Sequence, residues 1–374
     1  MKKFKVFSMF LLISLLMGSL FVLTSCGGSG LDIGIVLPTE DEPRWLHDRD
    51  RFMAALEGTD FSVDILFSQN SSAVERDNVD ALIARGIDVL IIATVDGDAA
   101  AATAEIARNA GVTVIAHDRL IRGTTAIDYY VTFDSIEVGR AMGQYLIDNV
   151  EPGTFGNPLY LYTGSPADNN AFLFFEGTWD VLQPRIANGT FTVMNSSAAV
   201  GLQNSRSLTR DQMANIIGQT TTNWVASDAL NLAQANLTVA GDEGKGRVYI
   251  IAPNDGTALS ISLAFQEDPA ITEFFITGQD ADPANIQAII NGYQSMTVFK
   301  DVRTLVSDSI AVARAVLDGR SPQTNGFFDN GTFQVPSLLT EVVSVDRYNL
   351  VEVLINGGYY TADMFTFPAN FPGR

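Results

Sequence analysis

Just after its short apolar runs, the chain repeatedly places planar or charged side chains that can form two hydrogen bonds at once. Arg44 and Trp45 follow the run 31–38, His117, Asp118 and Arg119 follow 112–116, and Asp168, Asn169 and Asn170 follow 158–162. Asn254 and Asp255 come after 247–252, Gln279 and Asp280 after 274–278, and Lys300 after 295–299. Bidentate donors and acceptors suit vicinal hydroxyls, because each hydroxyl can donate once and accept up to twice. An indole such as Trp45 adds a flat apolar surface for the C–H face of a polyhydroxylated ring.

Each residue has a plainer alternative. Asp118 and Arg119 also fit an ion pair capping a strand end, and Trp45 fits a core position. Asp168-Asn169-Asn170 fits the N-cap of the following helix, and Lys300 fits a solvated lysine. Convergence at strand ends carries the reading, not any one residue. Other chemistry has little support. His47 and His117 match no zinc spacing, and the sole cysteine, Cys26, stands near the N-terminus. There is no G-x-S-x-G elbow and no calcium loop. The glycine-rich stretch 241–246 precedes a strand and lacks Ser or Thr after Lys245, as expected of a turn and not of a phosphate loop. No cofactor, metal or catalytic residue is expected.

The elements that must position these groups alternate in type. Strand patterns at 31–38, 62–67, 87–94 and 112–116 enclose helical stretches at 45–56, 74–85 and 99–110, with Gly86 and Gly111 as helix stops. The unbroken apolar run 87–94 is that of a strand buried on both faces of a parallel sheet. A second set follows, with strands at 158–162, 191–194, 247–252, 274–278 and 295–299. Its helices lie at 170–182, 208–221, 256–265, 286–291 and 305–317, and 224–225 reads as a short strand or loop. The fold class is therefore α/β, two lobes of parallel sheet flanked by helices, with ligand expected beyond the carboxyl ends of the strands. Crossings are expected near 132, 300 and 335. They divide the chain into an N-terminal lobe of 31–133 plus 301–335 and a C-terminal lobe of 134–300 plus 336–374.

The start of the chain concerns location. Lys2, Lys3 and Lys5 precede an apolar stretch, 6–23, broken only by Ser8, Ser14, Gly18 and Ser19, which describes an export signal. Leu23-Thr24-Ser25-Cys26, followed by Gly27-Gly28-Ser29-Gly30, resembles a bacterial lipobox. It implies a signal peptide over 1–25, a linker over 26–30, and lipid on Cys26 that tethers an exported protein to a bacterial membrane. A spanning anchor or a buried free cysteine are the alternatives. The apolar run is marginal for a span, and a core cysteine rarely adjoins a Gly/Ser linker. With one cysteine the body has no internal disulfide, so hydrophobic packing must supply the stability, and the whole chain is 47% apolar. The formal charge of −20, with 43 acidic against 23 basic residues, excludes nucleic acid as a natural partner.

The segments PRWLHDRDRF, GIDVLIIATVDG, VTVIAHDRLI, YYVTFDSIEVG, GSPADNNAFLFFEG, ITGQDAD, MTVFKD and VPSLLT, in order along almost all of 31–360, resemble the periplasmic monosaccharide-binding proteins of ABC importers. The likeness is to the xylose-binding and multiple-sugar-binding branch. The resemblance implies two Rossmann-like lobes joined by a three-segment hinge and closing over one sugar. Carried over by position, Arg44 and Trp45 are first-loop contacts, and Asp118 with Arg119 grips ring or hydroxyl oxygens. Asp168 and Asn170 act from the C-terminal lobe, with Phe174 as an apolar wall. Asn254, Asp280 and the hinge-side Lys300 complete the polar set, with Gln279 and Asp255 as neighbours. One departure stands out. Counting back from Met213 and Asn215, the position of the family's second stacking tryptophan falls on Asn204, so half of the aromatic sandwich is expected to be missing. The implied function is capture of an aldopentose or aldohexose, xylose-like favoured, and its delivery to an ABC permease without catalysis. The alternatives are a sugar sensor facing a chemoreceptor or histidine kinase, a binder of a nucleoside or autoinducer, and an enzyme using Asp118 or Asp168 as acid or base.

Overall fold

The computed structural model describes residues 30–373. The expected signal peptide, Cys26 and the linker up to Ser29 lie outside the described residues. From Leu31 onward the chain forms one unit built of two α/β lobes.

In the first lobe β1 (Ile33–Leu37), α1 (Pro43–Leu56), β2 (Val63–Phe67), α2 (Ser72–Ala84), β3 (Val89–Ile92), α3 (Ala100–Asn109), β4 (Thr113–His117) and β5 (Tyr129–Phe133) follow one another. The second lobe runs through α4 (Ser135–Asp148), β6 (Asn157–Leu161), α5 (Asn169–Ala187), β7 (Phe191–Val193), α6 (Ser197–Gly201), α7 (Arg210–Thr220) and α8 (Ala226–Val239). It continues with β8 (Gly246–Ile251), α9 (Asp255–Glu267), β9 (Ile271–Ile276), α10 (Pro283–Asn291) and β10 (Met296–Phe299). The chain returns to the first lobe as α11 (Val302–Leu317), β11 (Gly326–Asp329) and β12 (Gln334–Thr340), then crosses once more to β13 (Val343–Asp346).

The first sheet has the order β11-β12-β5-β4-β3-β1-β2, and only β11 runs antiparallel to its neighbour. Its central strands bury both faces, because successive side chains point to opposite sides. Ile33, Ile35, Leu37, Val89 and Ile91 join one core cluster, while Val36, Leu90 and Ile92 join the other. The second lobe stacks β7-β6-β8-β9 in parallel. A bridge between Gln279 and Val298 then links the end of β9 to β10, which pairs antiparallel with β13.

The third crossing lies beyond the expected 335. β12 pairs with β5 from Ser337 opposite Tyr130 through to Thr340 opposite Phe133. Pro336 lacks an N–H and reads as a break, but it stands one residue before that pairing begins. At the hinge, the Asp134 N–H donates to the Thr340 carbonyl at 3.1 Å. Next to it α4 and α5 cross at backbone contact. A Cβ on Gly139 would lie 1.9 Å from the Phe174 carbonyl, and one on Gly177 would lie 1.9 Å from that of Ile136.

Candidate binding site

The carboxyl ends of β1, β4, β6, β8, β9 and β10 converge on one cavity between the lobes. All ten residues expected at the site line it: Arg44, Trp45, Asp118, Arg119, Asp168, Asn170, Phe174, Asn254, Asp280 and Lys300. Glu42, Trp224 and Gln279 complete the lining.

From the first lobe, α1 begins with Pro43 in its first turn and projects Arg44 and Trp45 inward, both nearly fully buried. Arg44 donates from Nη2 to Asp118 Oδ2 at 2.6 Å, and its Nε lies 2.8 Å from Asp48 Oδ2. Asp48 in turn meets His117 Nε2 at 2.9 Å, and His117 Nδ1 lies 2.8 Å from Ser309 Oγ on α11. His117 therefore belongs to a buried chain that orients Arg44. Asp118 has φ of +60°, a conformation that costs a non-glycine residue energy. Its surroundings hold it there: the N–H donates to the Val131 carbonyl at 2.8 Å, and its own carbonyl accepts from Tyr130 Oη at 2.8 Å and Thr132 Oγ1 at 3.0 Å.

Two contacts join the lobes across the cavity. Arg119 Nε lies 3.0 Å from Asp168 Oδ2, and Asn170 Nδ2 donates to Asp118 Oδ1 at 2.9 Å. Asp168 is also the N-cap of α5, accepting from the Asn170 N–H at 2.8 Å, so the capping and pocket roles coincide. Asn254 likewise caps α9, accepting from the Thr257 N–H at 3.1 Å. Lys300 is not a solvated lysine. It is 5% exposed, with Nζ 2.8 Å from Asp280 Oδ1 and 5.7 Å from the ring centre of Phe174. Asp255 does not line the cavity. It stands behind it, accepting from the Asp282 N–H, Gln294 Nε2 and Thr297 Oγ1.

The aromatic expectation needs correction. Asn204 is exposed and takes no part in the lining, whereas Trp224 lines the cavity opposite the Trp45 lobe. Trp224 sits immediately before α8, in a turn where Asn223 and Trp224 have φ of +53° and +64°. Its ring packs edge-on to Phe174, centroids 6.2 Å apart, over Gly164, where any Cβ would lie 1.9 Å from the indole. Met213 and Asn215 lie on α7, whereas Trp224 precedes the next helix, α8.

The charges balance locally. Burial alone would push the Asp118 carboxyl up, but Lys300, Arg44, His117 and Arg119 together hold its pKa at about 2. Burial pushes Asp168 up and outweighs Arg119, and burial does the same to Glu42. Arg44 loses solvation, yet Asp48 and Asp118 keep its pKa above the ordinary arginine value. Three lining atoms, Arg44 Nη1, Trp224 Nε1 and Gln279 Oε1, are buried with no hydrogen-bond partner among the described residues. Buried polar groups in native folds are otherwise nearly always paired.

Two lobes, a three-segment hinge and a polar, aromatic-walled cleft define the architecture of a solute-binding protein. Residues 33–321 match the family model described as "Periplasmic binding protein domain", and the chain belongs to that family. Among curated relatives, the multiple sugar-binding periplasmic protein SbpA of Azospirillum brasilense is 32% identical over 341 residues, 89% of this chain and 90% of its own. A carbohydrate transporter solute-binding protein from Chloroflexus aurantiacus, solved in complex with D-glucose, is 59% identical with a TM-score of 0.89, covering 91% of this chain and 99% of its own. An ABC transporter solute-binding protein from Clostridium phytofermentans with bound β-D-glucose is 32% identical, TM-score 0.79, over 89% and 99%.

Proposed function

We propose that this chain is an exported sugar-binding protein that closes on a neutral aldopyranose, of D-glucose or D-xylose type, and delivers it to an ABC permease. Lipid on Cys26 holds it at the membrane. One observation carries the reading: each cation in the cavity has its own carboxylate, while an indole N–H, a guanidinium nitrogen and an amide oxygen remain free. Such a site offers little net charge to an ion and many directed groups to hydroxyls. The D-glucose held by the Chloroflexus aurantiacus relative supports the same class of ligand.

Hydrogen bonds to charged groups contribute about 1.5–3 kcal/mol each. Several of them, less the cost of ordering, correspond to micromolar or tighter binding, about −8 kcal/mol. Ligand contacts from both lobes bias the hinge toward the closed form, the state a permease would recognise. Calorimetry with a panel of aldoses, sugar acids and nucleosides tests this: binding is expected for D-glucose or D-xylose, and no heat with any aldose refutes it. The anchor is tested separately. Cys26→Ala should move the protein from the membrane to the soluble fraction at native sugar affinity, and retention at the membrane refutes the lipid assignment.

A further inference from the structure

Beyond β13 the chain passes through a π-helix at Val351–Asn356 and the sequence Gly357-Gly358-Tyr359-Tyr360. From Phe299 through Tyr359, Tyr360, Phe365 and Phe367 to Phe371, rings meet at steep angles with centroids 4.6–6.3 Å apart. Two of these rings reach beyond the ladder. Tyr360 donates its hydroxyl to the Ala281 carbonyl at 2.9 Å. Tyr359 faces two cations of the first lobe, with Cζ of Arg303 4.9 Å and of Arg51 5.7 Å from its ring centre. Arg303 also donates to the Gly358 carbonyl at 2.8 Å.

Ala281 is no ordinary acceptor. It and Asp280 have φ of +57° and +100°, two successive side-chain-bearing residues in the left-handed region. Their donors are tied to the sheet side: the Asp280 N–H to the Val298 carbonyl at 3.0 Å and the Ala281 N–H to Thr297 Oγ1 at 3.2 Å. The acceptor side is held by Tyr360. Such a backbone persists only where its surroundings over-determine it. A buried carbonyl without its donor would be satisfied most readily by turning the Ala281–Asp282 peptide, which would pull the Asp282 N–H off Asp255 Oδ2 and loosen the turn that carries Asp280.

We propose that Tyr360 is a positioning residue for the ligand-facing turn, holding Gln279 and Asp280 in place through the Ala281 carbonyl. Tyr359 makes that turn answer to the first lobe through Arg51 and Arg303. The inference rests on the cavity being the sugar site.

The test is Tyr360→Phe, which keeps the ring and removes the hydroxyl, measured by calorimetry with D-glucose and D-xylose and by thermal melting. Binding is expected to weaken about tenfold (~1.4 kcal/mol) with a cooperative melt retained. In an Ala281→Gly background, where positive φ is unstrained, the same change should cost less than about twofold in affinity and less in melting temperature. Affinity within twofold of native for Tyr360→Phe, or equal losses in both backgrounds, overturns the proposal. If Tyr360→Phe alone does not fold, the double variant carries the test: glycine should restore folding, and a double variant that stays unfolded overturns it. A native protein that binds no aldose refutes the sugar reading instead, before any substitution, and the melting arm still reads the Tyr360–Ala281 coupling without ligand.

Discussion

Trp224→Ala separates the two placements of the second aromatic wall. A ligand ring lying on the indole would cover on the order of 50 Å² of the 150–250 Å² such a side chain can bury. At about 25 cal/mol per Å² that is ~1.2 kcal/mol, and ring-specific contact adds about 0.5–1.5 kcal/mol. The sum, about 2 kcal/mol, corresponds to roughly thirtyfold in Kd. The ring also packs against Phe174 and over Gly164, so the variant should lose up to about 3 kcal/mol of stability. Binding is therefore measured by calorimetry well below the melting transition. Trp224→Phe, which keeps an aromatic face, should fall between native and alanine. Asn204→Ala, at an exposed position outside the lining, should bind as the native protein does. A folded Trp224→Ala that binds within threefold of native, or an Asn204→Ala as damaging, would refute the placement.

Asp118→Asn keeps the shape but strips Arg44 of a direct ion-pair partner and removes an anion near Lys300 and Arg119, so stability should fall by about 3 kcal/mol and sugar affinity at least tenfold. Because the native pKa is about 2, below the unfolded value near 3.9, this support is complete above pH 4 and is lost only as pH falls through 2. Melts between pH 2 and 5 that run parallel for native and variant would contradict it. Asp282 behaves oppositely: burial, then the neighbouring Asp280, raises its pKa to about 7. Its contribution is complete below about pH 4 and lost as pH rises through 7. Asp282→Asn should flatten the decline in stability from pH 5 to 8 and melt above the native protein at pH 8; coincident curves would sink this. Gly177→Ala drives a Cβ into the Ile136 carbonyl and should cost about 3 kcal/mol in chemical denaturation. Gly218→Ala, on the exposed side of α7 with nothing nearby, should be neutral or slightly stabilising.

The strand-end residues were legible because a parallel sheet delivers whatever follows each strand to one edge, and their types do not depend on the details of packing. Trp224 was not, because it follows a single bridge between Thr163 and Thr221, with no strand pattern ahead of it. The available signal was Asn223, a residue that tolerates positive φ, placed just ahead of a helix. Gln279, expected beside the pocket, lines it, a matter of side-chain direction that strand periodicity does not carry through a left-handed turn. β11 and β13 are four residues each and carry an aspartate and exposed positions, and β12, seven residues long, contains Pro336, so none of the three has a clear strand pattern. The C-terminal segment has neither a 3.6- nor a 2-residue period, so only tertiary packing reveals that its aromatics hold a ligand-facing turn.

Asp118, Trp224 and Asp280 all adopt positive φ, and this shapes how the protein can be improved. Glycine at any of them would relieve the backbone, yet at Asp118 and Trp224 the lost ion pairing and ring packing, about 3 kcal/mol each, outweigh that relief. Each such change would also delete one side chain from the cavity. Robust biosensor variants are better sought on outer helix faces such as Gly218, leaving the three strained residues untouched.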